Sequence, residues 1–178
     1  MYSVIFLMAL LSAVFLGLYY TAVCPASSVL WIGIVSFMIL YHFGLRILFG
    51  EITKRITINY RHPFFRRRKF EKKLYSALRV RSWKDRVLTF DPASYDFRNR
   101  TLEQLATTMA KSETDHWINE LISLSSLLFS LLWGEFPIFL ITCLAAMVFD
   151  AQFIIVQRFN RPIVLRLMEH RAQRSSNN

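Results

Sequence analysis

The residues best suited to chemistry are Glu113-x-x-His116-Trp117, followed by Glu120. Positions three and four apart on a helix share a face, so Glu113, His116 and Glu120 line up. A carboxylate beside an imidazole fixes its tautomer and raises its basicity, which is what activating a hydroxyl requires. The same pattern also describes an interfacial His and Trp flanked by solvated acids, and spacing alone does not separate the two readings. A second cluster is Gln157-Arg158-Phe159-Asn160-Arg161-Pro162. Two arginines at a helix end serve most simply as topology anchors. Asp150 and Gln152 precede them inside an otherwise apolar run, where an ionisable side chain is costly unless it faces a cavity or a partner. For Asp150 a structural hydrogen bond between helices is the competing account.

Other chemistries find little footing. His42, His62, His116 and His170 are scattered without metal-ligand spacing, so no metal is expected. There is no Gly-x-Ser-x-Gly elbow and no glycine-rich phosphate loop. Cys24 and Cys143 are too few for a disulfide-stapled scaffold, and neither falls near the clusters above.

The elements that must position these residues follow from where charge is missing. The 178-residue chain is 54 % hydrophobic yet carries 22 Lys+Arg against 12 Asp+Glu. Sixteen Phe, 7 Tyr and 4 Trp exclude a disordered basic tail. Met1 to Leu45 contains no Asp, Glu, Lys or Arg, and Leu121 to Phe149 is broken only by Glu135. A membrane crossing takes about 20 apolar residues per helix, so these blocks predict an all-α, polytopic membrane protein with about four spans. The first hairpin occupies residues 1–50, with helices at Tyr2–Tyr20 and Val29–Phe49 and with Tyr41, His42 and Arg46 as interfacial anchors. A cleaved signal peptide is disfavoured because the basic n-region is missing.

Residues 51–116 form a basic segment. Phe70, Leu74 and Leu78 recur every four residues after Arg66-Arg67-Arg68-Lys69, which predicts an amphipathic helix over about 66–88 lying on the membrane surface. Nucleic acid would also attract basic and aromatic residues, but a segment tethered to the bilayer on both sides needs no such partner. Asp91–Asp96 reads as a loop, and Thr101 as the cap of a helix placing Leu102, Leu105 and Met109 on one face. The second hairpin covers 117–157, with a short apolar stretch Leu121–Trp133, a turn at Gly134–Pro137 and a span Ile138–Val156. Residues 158–178 read as a basic tail. Between Arg46 and Lys111 lie 17 Lys+Arg, and the remaining 5 follow Gln157. The positive-inside rule then places both termini and the basic segment in the cytoplasm. It also puts the two clusters at one membrane depth, where Glu113, His116, Glu120, Asp150, Gln157 and Asn160 are expected to line one cleft.

Four blocks in order carry a resemblance: Phe70-Glu71, Arg79-Val80-Arg81-Ser82-Trp83-Lys84-Asp85, Glu113-x-x-His116-Trp117 and Val156-Gln157-Arg158-Phe159-Asn160-Arg161-Pro162. Over roughly residues 60–168 the chain resembles the glycosyl-diaponeurosporenoate acyltransferases, small membrane enzymes of staphyloxanthin-type carotenoid synthesis. The resemblance implies transfer of a fatty acyl group onto a sugar hydroxyl of a glycolipid. It brings no residue roles, and the first 45 residues do not take part in it.

Chemistry of the residues suggests the assignments. His116 acts as general base beside Glu113, and Asn160 or Gln157 donates to the developing oxyanion. Arg158, Arg161 and Lys84 bind phosphates or headgroup of the donor. Trp83, Trp117, Glu120 and Asp150 complete the substrate-contacting set. The acyl donor, acyl-CoA or another carrier, is a co-substrate and no cofactor is expected. The rival class is a non-enzymatic membrane adaptor whose basic segment binds anionic lipid or a partner protein. The expected setting is the cell membrane.

Overall fold

The structure, a computed structural model, describes residues 2–87, 92–96 and 98–176, and among these there is no strand. The uncharged N-terminal block forms α1 (Tyr2–Tyr20) and α2 (Ser27–Lys54). Their backbones come close at Gly33, where an added Cβ would lie 2.7 Å from Leu16 Cδ2 and 3.0 Å from Leu16 N. Small residues at helix contacts are how apolar helices pack without a hydrophobic drive between them. Helix α2 runs five residues past the Phe49 expected from its apolar stretch, so Lys54 also lies within the helix.

The basic segment departs from its expected single helix. It divides into α3 (Lys69–Ala77) and α4 (Val80–Trp83), separated by Arg79 in the left-handed region at φ 49°. Leu88, the expected end, lies outside the described residues. The stripe Phe70, Leu74 and Leu78 is exposed, while the opposite face of α3 buries Glu71 and Tyr75. An acidic residue is what this basic helix turns inward. Pro92–Tyr95 forms a 3-10 turn within the expected loop.

Thr101 caps α5 (Leu102–Ser125) through a capping box with Gln104. The path stays helical through a 3-10 stretch, Ser126–Phe129, and α6 (Ser130–Trp133). In that stretch the hydroxyls of Ser125, Ser126 and Ser130 each donate to the carbonyl three residues back, at 2.6–2.8 Å. Gly134 ends it at φ 73°, ψ −148°, a conformation essentially reserved for glycine. Helix α7 then runs unbroken from Phe136 to Ser176, straight through Pro162.

That continuity corrects the expected basic tail. Residues 158–176 are the second half of α7, and Val164 is buried there in a core with Tyr60, Phe65, Leu105, Ala106, Met109 and Ala110. The expected face Leu105–Met109 is therefore the packed one. At the other end of the molecule, the Trp133 indole donates to the Tyr20 hydroxyl at 3.0 Å, bringing the two hairpin turns together. Phe37, Tyr41, Phe129 and Trp133 stack between the hairpins, and Tyr41 and Ser125 share a 2.6 Å hydrogen bond.

Among the described residues three helices, α1, α2 and α7, are long and apolar enough to cross a membrane, one fewer than expected. The fourth expected span, 121–133, is helical but short. Around it the usual arrangement is inverted: Ser123, Ser126, Ser130 and Asp150 are buried while Leu121, Leu128, Leu131, Ile141 and Val148 are exposed. Such a contiguous apolar exterior marks a surface meant for lipid or a partner.

Candidate active site

Helices α5 and α7 pack along their length, and two separate polar networks lie between them. The first centres on Asp150, fully buried on α7. Its Oδ1 accepts from His116 Nδ1 at 2.8 Å and from Asn119 Nδ2 at 3.2 Å. Its Oδ2 accepts from a terminal guanidinium nitrogen of Arg46 at 2.6 Å. His116 and Asn119 are three residues apart on α5, so one turn presents both side chains to the same carboxylate. The His116 ring stacks on Phe153, centroids 4.4 Å apart and planes within 3°. With Nδ1–H donated to Asp150, Nε2 carries the lone pair. The ring is thus held in one tautomer and one orientation, with a proton-accepting nitrogen to spare.

His116 lines a cavity of about 780 Å³. Phe149, Phe153 and Val156 form its apolar wall, Asn119, Asp150 and Gln157 its polar one, and Arg46, Lys54, Lys84 and Lys111 its basic rim. The Gln157 amide donates to the Tyr95 hydroxyl at 3.2 Å. Two atoms among the lining residues, Arg46 Nε and Asp115 Oδ1, are buried without a hydrogen-bond partner.

The second network is closed. Glu113, fully buried, accepts from Arg158 and Arg161 at 2.6 Å each. Arg158 also donates to Glu71 at 2.6 and 3.1 Å and to the carbonyls of Phe64 and Arg66. Arg161 donates to the Phe65 carbonyl at 2.6 Å and lies over the Phe65 ring. The Tyr75 hydroxyl completes the network with a 2.8 Å bond to Glu71. Burial by itself would raise the Glu71 pKa, but hydrogen bonds from Arg158 and Tyr75 hold it below the usual carboxylate range. For Tyr75, burial and then the Glu71 carboxylate push the phenol well up.

Several expectations therefore change. Glu113 is not the partner of His116, because both its oxygens are taken by Arg158 and Arg161. Arg158 and Arg161 spend their donors on Glu71, Glu113 and the 64–66 backbone, so they clamp the chain and leave none aimed into the cavity. Glu120 is buried with Oε2 unpaired and does not line the cavity. Asn160 lies outside the cavity lining too. Trp117 is exposed and edges against Phe64, and the Trp83 indole donates to the Leu78 carbonyl. Of the expected set the structure brings together His116, Asp150, Gln157 and Lys84. It adds Arg46, Asn119, Lys54, Lys111 and Asp115. Arg46 had a visible signal, as the first charge after 45 uncharged residues, but that position also suits an anchor.

Among the described residues no three His, Cys, Asp or Glu side chains are grouped as metal ligands. The cavity thus offers an imidazole bonded to a buried carboxylate, the Gln157 amide, and apolar side chains.

A family model for glycosyl-4,4'-diaponeurosporenoate acyltransferase matches residues 61–170. The chain belongs to this family. No curated protein and no solved structure matches it. A glycosyl-diaponeurosporenoate acyltransferase needs a glycolipid acceptor and an acyl donor, so the chain is an enzyme and the adaptor reading falls. The matched segment contains His116, Asp150 and the Glu113–Arg158–Arg161 clamp. Arg46 and Lys54 lie outside it, in the N-terminal hairpin.

Proposed function

We propose that this acyltransferase esterifies a sugar hydroxyl of a glycosylated, hydrophobic acceptor, with His116 as general base and Asp150 as the carboxylate that orients it. His116 Nε2 takes the hydroxyl proton as the oxygen attacks the acyl carbonyl. Collapse of the tetrahedral intermediate expels the donor's leaving group, to which the imidazolium returns the proton. Asp150 stabilises the transient imidazolium and Arg46 holds Asp150 in turn. Gln157, on the cavity wall, replaces Asn160 as the side chain placed to donate to the oxyanion.

The membrane setting is part of the proposal. Helices α1 and α2, the 121–133 stretch and α7 each cross, with both termini and α3 on the cytoplasmic side of the cell membrane. The exposed apolar faces of 121–133 and α7 support this, as does the meeting through Tyr20 and Trp133 of the two turns that carry no Lys or Arg. Phe70, Leu74 and Leu78 then rest in the headgroup region while Glu71 and Tyr75 hold α3 to α7.

The observation that carries the reading is the His116–Asp150 pair on the wall of a cavity lined by both apolar and basic side chains. The test is ester formation by protein reconstituted with a glycosylated acceptor. His116→Ala should lower turnover by about 10²–10⁴-fold, the usual worth of a general base. Turnover within a few-fold of wild type would remove His116 from the mechanism.

A further inference from the structure

The cavity carries more positive charge than an ester-forming site needs. Four cationic side chains, Arg46, Lys54, Lys84 and Lys111, line it against two carboxylates, Asp115 and Asp150. A sugar hydroxyl and a fatty acyl chain are both uncharged and give this excess no purpose. Arg46 is committed to Asp150, but the lysines are lightly held. Lys54 pairs with Glu51 where both side chains are more than half exposed. Lys84 pairs at 2.7 Å with Asp85, whose side chain is 80 % exposed. Lys111 has no ion-pair partner among the described residues. Ion pairs with an exposed partner contribute little, so a multiply charged anion can displace them easily.

A second cavity of about 460 Å³ adjoins the first and shares Arg46, Lys54, Asp115 and Asn119 with it. Its own walls are mostly apolar, Tyr2, Phe43, Ile47, Phe49 and Ile118 from α1, α2 and α5, with Glu51 among them. Arg46 and Lys54 thus stand where the His116 cavity meets this crevice, while Lys84 and Lys111 line the His116 cavity alone.

We propose that the acyl donor is phosphate-bearing: Lys54, Lys84 and Lys111 hold its phosphate while its acyl chain lies in the crevice between α1, α2 and α5. The inference rests on His116 as base of the transfer and names the other substrate's chemical class. The reacting carbonyl then falls between the two, beside His116. The acceptor oxygen forms the new bond to that carbon, the bond from carbon to the carrier breaks, and the proton taken by His116 leaves with the carrier as a thiol or a lysolipid hydroxyl. A thioester on a phosphate-bearing carrier and an ester in an anionic phospholipid share this chemistry.

The experiment uses full-length protein in uncharged maltoside micelles, offered acyl-CoA, phosphatidylglycerol, or an acyl thioester of N-acetylcysteamine, which has no phosphate. Ester formation from either phosphate-bearing donor, with the uncharged thioester far poorer, supports the proposal, and the active arm names the carrier. Whichever donor works, Lys84→Glu/Lys111→Glu should raise its KM about tenfold, as lost charge-assisted contacts would, and Lys84→Arg/Lys111→Arg should restore it. The acceptor's KM should stay put. Equal use of the uncharged thioester, or an unchanged donor KM in the charge-reversed protein, would overturn the phosphate site. Donor binding to His116→Ala, measured by calorimetry, separates the two claims. Wild-type affinity with lost turnover supports both, whereas retained turnover removes the base and leaves the phosphate site standing.

Discussion

The two polar networks between α5 and α7 are built from the same materials and do opposite work. Asp150 and Glu113 are both fully buried, both hydrogen-bonded at 2.6 Å to arginine, and both held between the same two helices. Around Glu113 every strong donor is matched, and the arginines reach on to Glu71 and to the backbone of residues 64–66. Around Asp150 the set is left open, because His116 bonds the carboxylate through one ring nitrogen and itself lines a cavity. The block that looks most distinctive in sequence, Gln157 to Pro162, is spent mainly on the closed network. Chemical capacity follows from an unmatched atom beside a space, and the density of charged residues is a poor guide to it.

Substitutions should separate the networks by which quantity moves. The largest effect belongs to Asp150→Asn, which keeps the shape but loses the charge that fixes the imidazole tautomer. Turnover should fall by about 10²–10⁴-fold, as in serine-hydrolase triads stripped of their aspartate. A fall of less than tenfold would put the orienting role elsewhere. Glu113→Ala should act on folding instead, costing about 3–5 kcal/mol because it strands Arg161 as a buried, unpaired charge. The readout is thermal unfolding in detergent. A stable Glu113→Ala protein with impaired turnover would merge the two networks into one site.

Arg46→Met should lower kcat by about 10–100-fold, the worth of one hydrogen bond to a charged group, with partial rescue by Arg46→Lys. No effect would make Arg46 the interfacial anchor it resembles in sequence. The smallest effect is on pH. Glu71 has its carboxyl held below the ordinary value, so its stabilising contribution is complete above the unfolded pKa and is lost as pH falls through the folded one. Acidification below about pH 4 should therefore loosen α3 from α7. Hydrogen exchange in α3 should rise there, and Glu71→Gln should show the loosening already at neutral pH. Exchange that ignores both changes would mean the helix is held by its apolar stripe.

What the sequence disclosed was mostly local. α1, the Thr101 cap and the Leu105–Met109 face follow from patterns within one or two helical turns, and the structure keeps them. Arg79 in the left-handed region left no such pattern, since nothing in Ser76–Arg81 demands a break. Pro162 read as a stop because proline costs a helix its hydrogen bond to the carbonyl four residues back. α7 continues because Arg158 and Arg161 are tied down just before it and Val164 is packed just after. The site was half legible. His116 and Asp150 stood out by type and depth, whereas the Arg46–Asp150 contact joins residues 104 apart and has no local signature. Glu113 was misassigned because helix spacing tells which residues share a face and is silent on what faces them.

An unbroken helix is also a measuring rod. Between Arg158, tied to the 64–66 backbone, and Asp150, tied to His116, α7 has eight residues of regular helix and no proline, a fixed separation of about 12 Å. Pro162 relaxes the rod only beyond Arg158. The distance from the anchored surface layer to the reacting atoms is thus set by covalent geometry and is insensitive to the thickness of the surrounding lipid. On the proposed mechanism a substrate would have to bring its sugar hydroxyl to that fixed depth, and acceptors would be selected by how far the sugar stands from the point where their apolar body is held.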